Sequence, residues 1–247
     1  MTLSANPSSG RDSYDVIIVG AGVTGSEAAV ACARAGREVL LVTTSLDTVY
    51  NLLGEGVTLT PPPDTLMAHV HAQLADEHGF VSNWEFHRRA KYHLEDQAGL
   101  HLLQSSVTGI LLEADQVRGV STWEGVDRRG QKLALCVGSF LKARLQIGQL
   151  TEAAGRLSEM AYDDLHDHLD ELGFEFESIT LDAHPRGGAL PYQVHCRRFA
   201  AAEWDADTFR LPRLGGLYAA GVCAAGYLSF EQAAAAGRRL AQKLLAG

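Results

Sequence analysis

The sequence is short of several things, and each shortage excludes a class of protein. No uninterrupted apolar run approaches the roughly 20 residues that a helix needs to span a bilayer. The stretch Met1–Ser13 is polar, carries Asn6, Pro7 and Gly10, and lacks the apolar core of a signal peptide. It reads as the disordered tail of a cytoplasmic protein. Cysteine is scarce: Cys32, Cys136, Cys196 and Cys223 are widely spaced and form no CxxC. That excludes a disulfide scaffold and a zinc site, and leaves free thiols buried in a reducing compartment. Positive charge is in deficit, with 21 Lys+Arg against 30 Asp+Glu and a formal net charge of −9. Nucleic acids are bound largely through Lys and Arg on phosphates. Direct nucleic-acid binding is therefore not expected of the isolated chain, despite the local pairs Arg197–Arg198 and Arg238–Arg239.

What is present suits a folded α/β chain. With 247 residues and 46% hydrophobic composition, the length allows roughly 70–75% of the extended surface to be buried. Tyr14–Val19 is a short β-branched apolar run, the mark of a strand buried on both faces. It leads into Gly20-Ala-Gly22-Val-Thr-Gly25 and then an Ala-rich helix with Arg34 in its last turn and Gly36 as its C′ glycine. Glu38–Thr43 is the second buried strand, completing a parallel βαβ unit. In that setting the three glycines have separate roles. Gly20 permits the tight turn, Gly22 admits a pyrophosphate to the backbone, and Gly25 lets the helix pack close. The acidic residue that usually ends the second strand and binds a ribose is missing, and Thr43 and Thr44 stand there instead.

Further along, Asp64 is expected to cap a helix through Leu66, Met67, Val70 and Leu74, and Ser82 with Glu85 to box a second helix running to about Gln97. Strands are expected at Leu100–Gln104, Val107–Leu112, Val117–Thr122 and Leu133–Val137, with turns at Asp115-Gln116 and Arg128-Arg129-Gly130. An acidic amphipathic helix is expected over Leu157–Leu172, followed by an extended Phe174–Leu181 and an irregular stretch to Arg213. The chain closes with strand Leu217–Ala220, a loop at Gly221–Leu228 and a long helix boxed by Ser229 and Gln232. His69/His71 and His166/His168 are each two apart, which on a helix points them apart, so no metal site is expected.

A chain that opens on the phosphate loop and closes with this strand and helix resembles the FAD-binding domain of the glucose-inhibited division protein A family, flavin-dependent enzymes of tRNA wobble-uridine modification. The matching stretches are Asp15–Ala29, Leu41–Val49, Val107–Val120, Gly138–Leu141 with Ile147-Gly148, and Leu172–Phe174 running to Pro185-Arg186. Gln193–Cys196 is a partial match, and Gly216–Gly237 with Phe230-Glu231 completes the set. The family's Cys-Asn-Pro-Ala-Ile-Gly-Gly segment is replaced by Asn51-Leu-Leu-Gly-Glu-Gly-Val57, without its redox-active cysteine, and a counterpart of the family's C-terminal helical domain is not expected.

The resemblance implies FAD as cofactor and an α/β, three-layer, Rossmann-like fold: a parallel sheet, helices on one face, and a small β-meander on the other. Residues 14–247 are expected to form the FAD-binding domain, with 64–99 as a helical insertion. Gly20, Gly22, Val23, Thr24 and Gly25 are expected at the pyrophosphate and Thr43 or Thr44 at the adenosine ribose. Val107 and Thr108 should line the adenine, and Gly138, Ser139, Gly221, Val222, Ser229, Phe230 and Glu231 the flavin half. Glu231 is either a carboxylate close to the flavin or a favourable charge at the helix start. Cys196 is either a packing residue or a thiol facing substrate, and Arg186, beside His184, either an anion ligand or a surface ion pair. No catalytic acid or base is assigned. The function expected is flavin-dependent oxidoreduction of a small molecule or protein, with NAD(P)H as candidate donor. The alternatives are an accessory subunit or paralogue in tRNA modification, a flavin-binding module without turnover, and an NAD-dependent enzyme using the same glycine loop.

Overall fold

The computed structural model describes residues 13–156, 159–183 and 190–246. Residues 1–12 of the expected tail lie outside it, as do Leu157, His184 and Arg186. Strands β1 (Ser13–Val19) and β2 (Val39–Thr43) pair in parallel, with α1 (Val23–Arg34) between them. Alternate residues of β1 serve different cores, because side chains of a strand point to opposite faces. Val16 and Ile18 pack with Ala29 and Cys32 of α1, and Ile17 and Val19 pack with Val107 and Leu133 on the far side. That double burial is why the run is apolar throughout. Gly36 ends α1 at φ +81, donating to Ala33 O at 2.9 Å, while Arg37 N–H reaches Cys32 O at 3.2 Å. This is the expected glycine stop.

Next comes a ribbon of β3 (Gly56–Thr58) and β4 (Phe80–Ser82), with α2 (Leu66–Leu74) between its strands and α3 (Asn83–Glu95) after it. Two expected caps are corrected. Thr65, not Asp64, caps α2, its hydroxyl accepting from Ala68 N–H at 3.0 Å. Asp64 adopts φ +56 and pairs with Arg238 at 3.0 Å. Ser82 occupies the start of α3 but makes no side-chain cap bond, so no box forms with Glu85.

β5 (Leu100–Gln104) lies beside β2, and β6 (Val107–Glu113) and β7 (Gln116–Thr122) form the expected hairpin. The turn expected at 128–130 does not exist. Those residues belong to β8 (Asp127–Leu135), which pairs first with β7 and then runs parallel beside β1. Gly130 is there for close approach, since a Cβ on it would lie 2.7 Å from Ile17 Cγ1.

β9 (Arg144–Ile147), β10 (Leu150–Glu152), β11 (Ala154–Arg156) and β12 (Glu159–Met160) follow. The helix expected over 157–172 is shorter: α4 spans Asp163–Glu171 and buries Leu165 and Leu169 as expected. Glu159 and Met160 pair with β11 instead, leaving Met160 exposed. β13 (Phe176–Ala183) and β14 (Tyr192–Phe199) join β9 and β10 in an antiparallel sheet, order β10-β9-β14-β13. β14 falls within the stretch expected to be irregular. β15 (Leu217–Ala219) returns parallel beside β8, followed by α5 (Val222–Ala225) and α6 (Phe230–Ala246).

The parallel part of the sheet thus runs β5-β2-β1-β8-β15. α1 and α6 cover one face, while the β6–β7 hairpin and α4 cover the other. The three-layer expectation holds.

Candidate functional site

β1 is the point where the sheet's order switches, with β2 on one side and β8 on the other. In open α/β sheets the crevice at the carboxyl end of such a strand is where ligands bind. Backbone hydrogen bonds carry the ladder past the strand ends and draw the loops to that edge. Gly20 N–H donates to Val42 O (2.7 Å), Cys136 N–H to Val19 O (2.8 Å), Ser105 N–H to Thr43 O (2.8 Å) and Ala220 N–H to Leu135 O (3.0 Å).

The three glycines of the first loop divide as expected. Gly20 has φ +102, and a Cβ on it would sit 2.3 Å from Cys136 O. A Cβ on Gly25 would sit 1.9 Å from Gly20 O, so the helix approaches its own entry turn too closely for any side chain. At Gly22 a Cβ meets nothing within 4 Å, and the residue is exposed. Gly22 is also the N-cap of α1, with no side-chain cap and no acidic residue in the first turn. Uncapped N–H groups and the helix dipole make this end a candidate anion site.

The other expected residues fall around that turn. Val23 and Thr24 are buried, and the Thr24 hydroxyl donates to Ala233 O of α6 at 3.2 Å. Gly221, at φ +81, lies against Thr24, so the loop after β15, with half-buried Val222, abuts the start of α1. The Thr43 hydroxyl donates to Ser45 O (3.2 Å) and accepts from Ser45 N–H (3.5 Å), which leaves Thr44 as the candidate for a ribose. Val107 and Thr108 begin β6 just after Ser105, at the end of β2. Gly138, at φ +58, follows Cys136, and the Ser139 hydroxyl donates to Gly155 O at 2.9 Å.

The box at α6 is formed. Ser229 N–H donates to Gln232 Oε1 (2.9 Å), and Gln232 N–H to Ser229 Oγ (3.2 Å). Phe230 is half-buried against the α1 core. The Glu231 carboxylate accepts from Thr60 N–H (3.2 Å) and the Ser229 hydroxyl (3.0 Å). Burial works against its charge, but hydrogen bonds from its own N–H, Thr60 N–H and Ser229 outweigh that and hold it below the ordinary carboxylate value.

Sequence reasoning missed a buried cluster behind the glycine turn. Glu27 is 3% exposed. Its carboxylate accepts from the Tyr50 hydroxyl and from Leu66 N–H (2.8 Å) and Met67 N–H (2.7 Å) at the start of α2. Burial raises its pKa, against the hydrogen bonds from Tyr50, Met67 and Leu66. The available signal was a lone charge in the first turns of an otherwise Ala/Val/Cys helix, which on a buried face demands partners.

All four cysteines are buried. Burial pushes the thiols of Cys32 and Cys223 up to about 12 and of Cys196 to about 11, and that of Cys136 well above the usual value. Cys196 packs with Leu145 and Val194 in the smaller sheet. Among the described residues no group of three or more His, Cys, Asp or Glu could hold a metal ion, and no helix is long and apolar enough to cross a membrane.

A parallel sheet with a glycine turn at its switch point, an uncapped helix start and a returning C-terminal strand defines the FAD/NAD(P)-binding class of flavoprotein folds. Within that class the match is specific. Residues 15–55 and 75–186 match the family model described as "Glucose inhibited division protein A", and the chain belongs to this family of FAD-binding proteins. The tRNA uridine 5-carboxymethylaminomethyl modification enzyme MnmG of Chlamydia caviae is 31% identical over 200 residues, 70% of this chain and 32% of the relative. The chain therefore spans about a third of the length of the curated relatives it matches. A GidA-related protein from Thermus thermophilus superposes with TM-score 0.84 at 42% identity, covering 94% of this chain and 98% of that one. Aquifex aeolicus GidA shares the fold at TM-score 0.82 and 15% identity, over 95% of this chain and 64% of that one.

Proposed function

We propose that residues 14–246 act as an FAD-dependent oxidoreductase domain, with 64–99 inserted into it. The observation that carries this is the open space at Gly22, in a turn whose other two glycines are closed in by protein atoms. A side chain is excluded at Gly20 and Gly25 by the fold, whereas at Gly22 the space is free for a ligand. The residues fit an FAD. Gly22, Val23 and Thr24 would offer their N–H groups to the pyrophosphate, Thr44 would hold the adenosine ribose, and the loops at 107–108, 138–139 and 221–222 would line the rest of the cofactor. When bound, the flavin supplies two-electron redox chemistry, and the protein binds, orients and tunes it. The start of α6, fastened by Ser229 and Gln232, would contribute the positive end of a dipole; Glu231, tied to Thr60, would oppose it if its carboxylate faces the ring and be neutral to it if it faces solvent.

The donor in this proposal is NADH or NADPH, which would supply the hydride for that redox chemistry. Anaerobic stopped-flow mixing of the FAD-loaded protein with each nucleotide is expected to bleach the flavin's visible band. A flavin that both nucleotides leave oxidised would make this a binding module rather than an oxidoreductase.

A second reading rests on the names of the relatives: a part in tRNA uridine modification, in the cytoplasm, with RNA contacts made by a partner. The net charge of −9 supports this division of labour. Fluorescence anisotropy is expected to give the chain alone a tRNA Kd no tighter than roughly 10⁻⁴ M at physiological salt. A salt-resistant micromolar complex would place the RNA site on this chain.

A further inference from the structure

The peptide between Ala21 and Gly22 is gripped at its carbonyl. Ala21 O accepts from Tyr50 N–H at 2.8 Å and from the buried Ser26 hydroxyl at 3.0 Å. A trans peptide is planar, and its C=O and N–H point in opposite directions. Fixing the carbonyl toward Ser26 and Tyr50 therefore aims Gly22 N–H away from the protein. Among the described residues Gly22 N–H donates to no group, and Gly22 is exposed. The grip is itself anchored. Tyr50 is fully buried in a left-handed conformation (φ +55), with its hydroxyl on Glu27. The preceding carbonyl, Val49 O, accepts from His87 Nδ1 of α3.

We infer that Ser26 and the Tyr50 backbone are positioning groups for the pyrophosphate of a bound dinucleotide: they hold the Gly22 N–H aimed into the crevice before the ligand arrives. This rests on the dinucleotide reading above. A peptide held on one side only samples other orientations, and a donor that must be re-aimed on binding costs affinity. Ser26 is the separable half of the grip. Ser26→Ala leaves Ala21 O still bonded to Tyr50 N–H, so no buried acceptor is orphaned, and alanine is a better helix former. Its thermal midpoint should stay near that of wild type while affinity falls.

The experiment pairs FAD titration and thermal denaturation of wild type, Ser26→Ala and Ser26→Thr with the Gly22 amide resonance of the ligand-free proteins. Ser26→Ala is expected to weaken FAD binding about 3- to 10-fold, the equivalent of one net hydrogen bond, and to shift and broaden the Gly22 amide signal. Ser26→Thr, which keeps the hydroxyl, recovers the wild-type Kd even where its extra methyl lowers the thermal midpoint. Wild-type Kd with an unshifted Gly22 amide in Ser26→Ala overturns the inference. Wild-type protein that takes up no FAD overturns instead the reading on which it rests.

Discussion

Gly22→Val is expected to leave a folded protein that no longer holds FAD. The backbone at Gly22, φ −70 and ψ −175, is extended and open to a β-branched residue, and its Cβ would meet nothing within 4 Å. The fold loses only the difference between glycine and valine at a helix N-cap, about 1 kcal/mol. The crevice loses far more. Isopropyl carbons would occupy the place of phosphate oxygens and block charge-assisted bonds to the first N–H groups of α1, each worth about 1.5–3 kcal/mol. Losing two of them weakens FAD binding by about 100-fold or more. Gly25→Val should do the reverse, since its Cβ would lie 1.9 Å from Gly20 O. It costs the fold about 3 kcal/mol or more before any ligand is added. Chemical denaturation and FAD titration on both variants separate the two roles. A Gly22→Val protein with stoichiometric FAD would show the phosphate site to lie elsewhere.

Glu27→Leu is expected to be the most destabilising single change behind the site. It leaves the Tyr50 hydroxyl and the N–H groups of Leu66 and Met67 without their acceptor. Each buried donor left unpaired costs about 1–3 kcal/mol, so the variant should lose about 3–5 kcal/mol in urea denaturation. The pH dependence has a definite sign. The folded state raises the pKa of Glu27 above its value in the unfolded chain, so the fold binds this proton more tightly. The stability that Glu27 contributes by this route is fully present below the unfolded pKa and is lost as pH rises through the folded one. Wild type should therefore lose stability relative to Glu27→Gln as the pH rises above the ordinary glutamate value of 4.5. A difference that stays flat over that window would show that Glu27 has the same pKa folded and unfolded.

Local rules read the two ends of the chain and the strands β5, β6 and β7 well, and other parts of its middle poorly. β1, α1, Gly36 and the Ser229–Gln232 box are each set by neighbours within a turn or a strand, so periodicity and capping chemistry find them. Gly130 looks like a turn beside two arginines, but its reason is the side chain of Ile17 in another strand, which local sequence does not show. Glu159 and Met160 continue an acidic amphipathic pattern, yet pair with β11 because that short ribbon offers backbone partners. Thr65 displaces Asp64 as a cap with a hydroxyl that donates to Pro62 O (2.7 Å) as well as accepting from Ala68 N–H (3.0 Å). The glycine spacing named the turn proposed for the phosphates. Part of the support behind it joins Glu27 to Tyr50, 23 positions away, and to Met67, 40 positions away, and becomes visible only once the chain is folded.

The central claim is that the crevice at the end of β1 holds one FAD. The most direct test is to purify the chain, reconstitute it with excess FAD, remove free ligand, and measure flavin absorbance and the mass of the released cofactor against protein concentration. The account predicts a yellow protein releasing FAD at one molecule per chain. A colourless protein that retains no flavin, or one that binds NAD in its place, would contradict it.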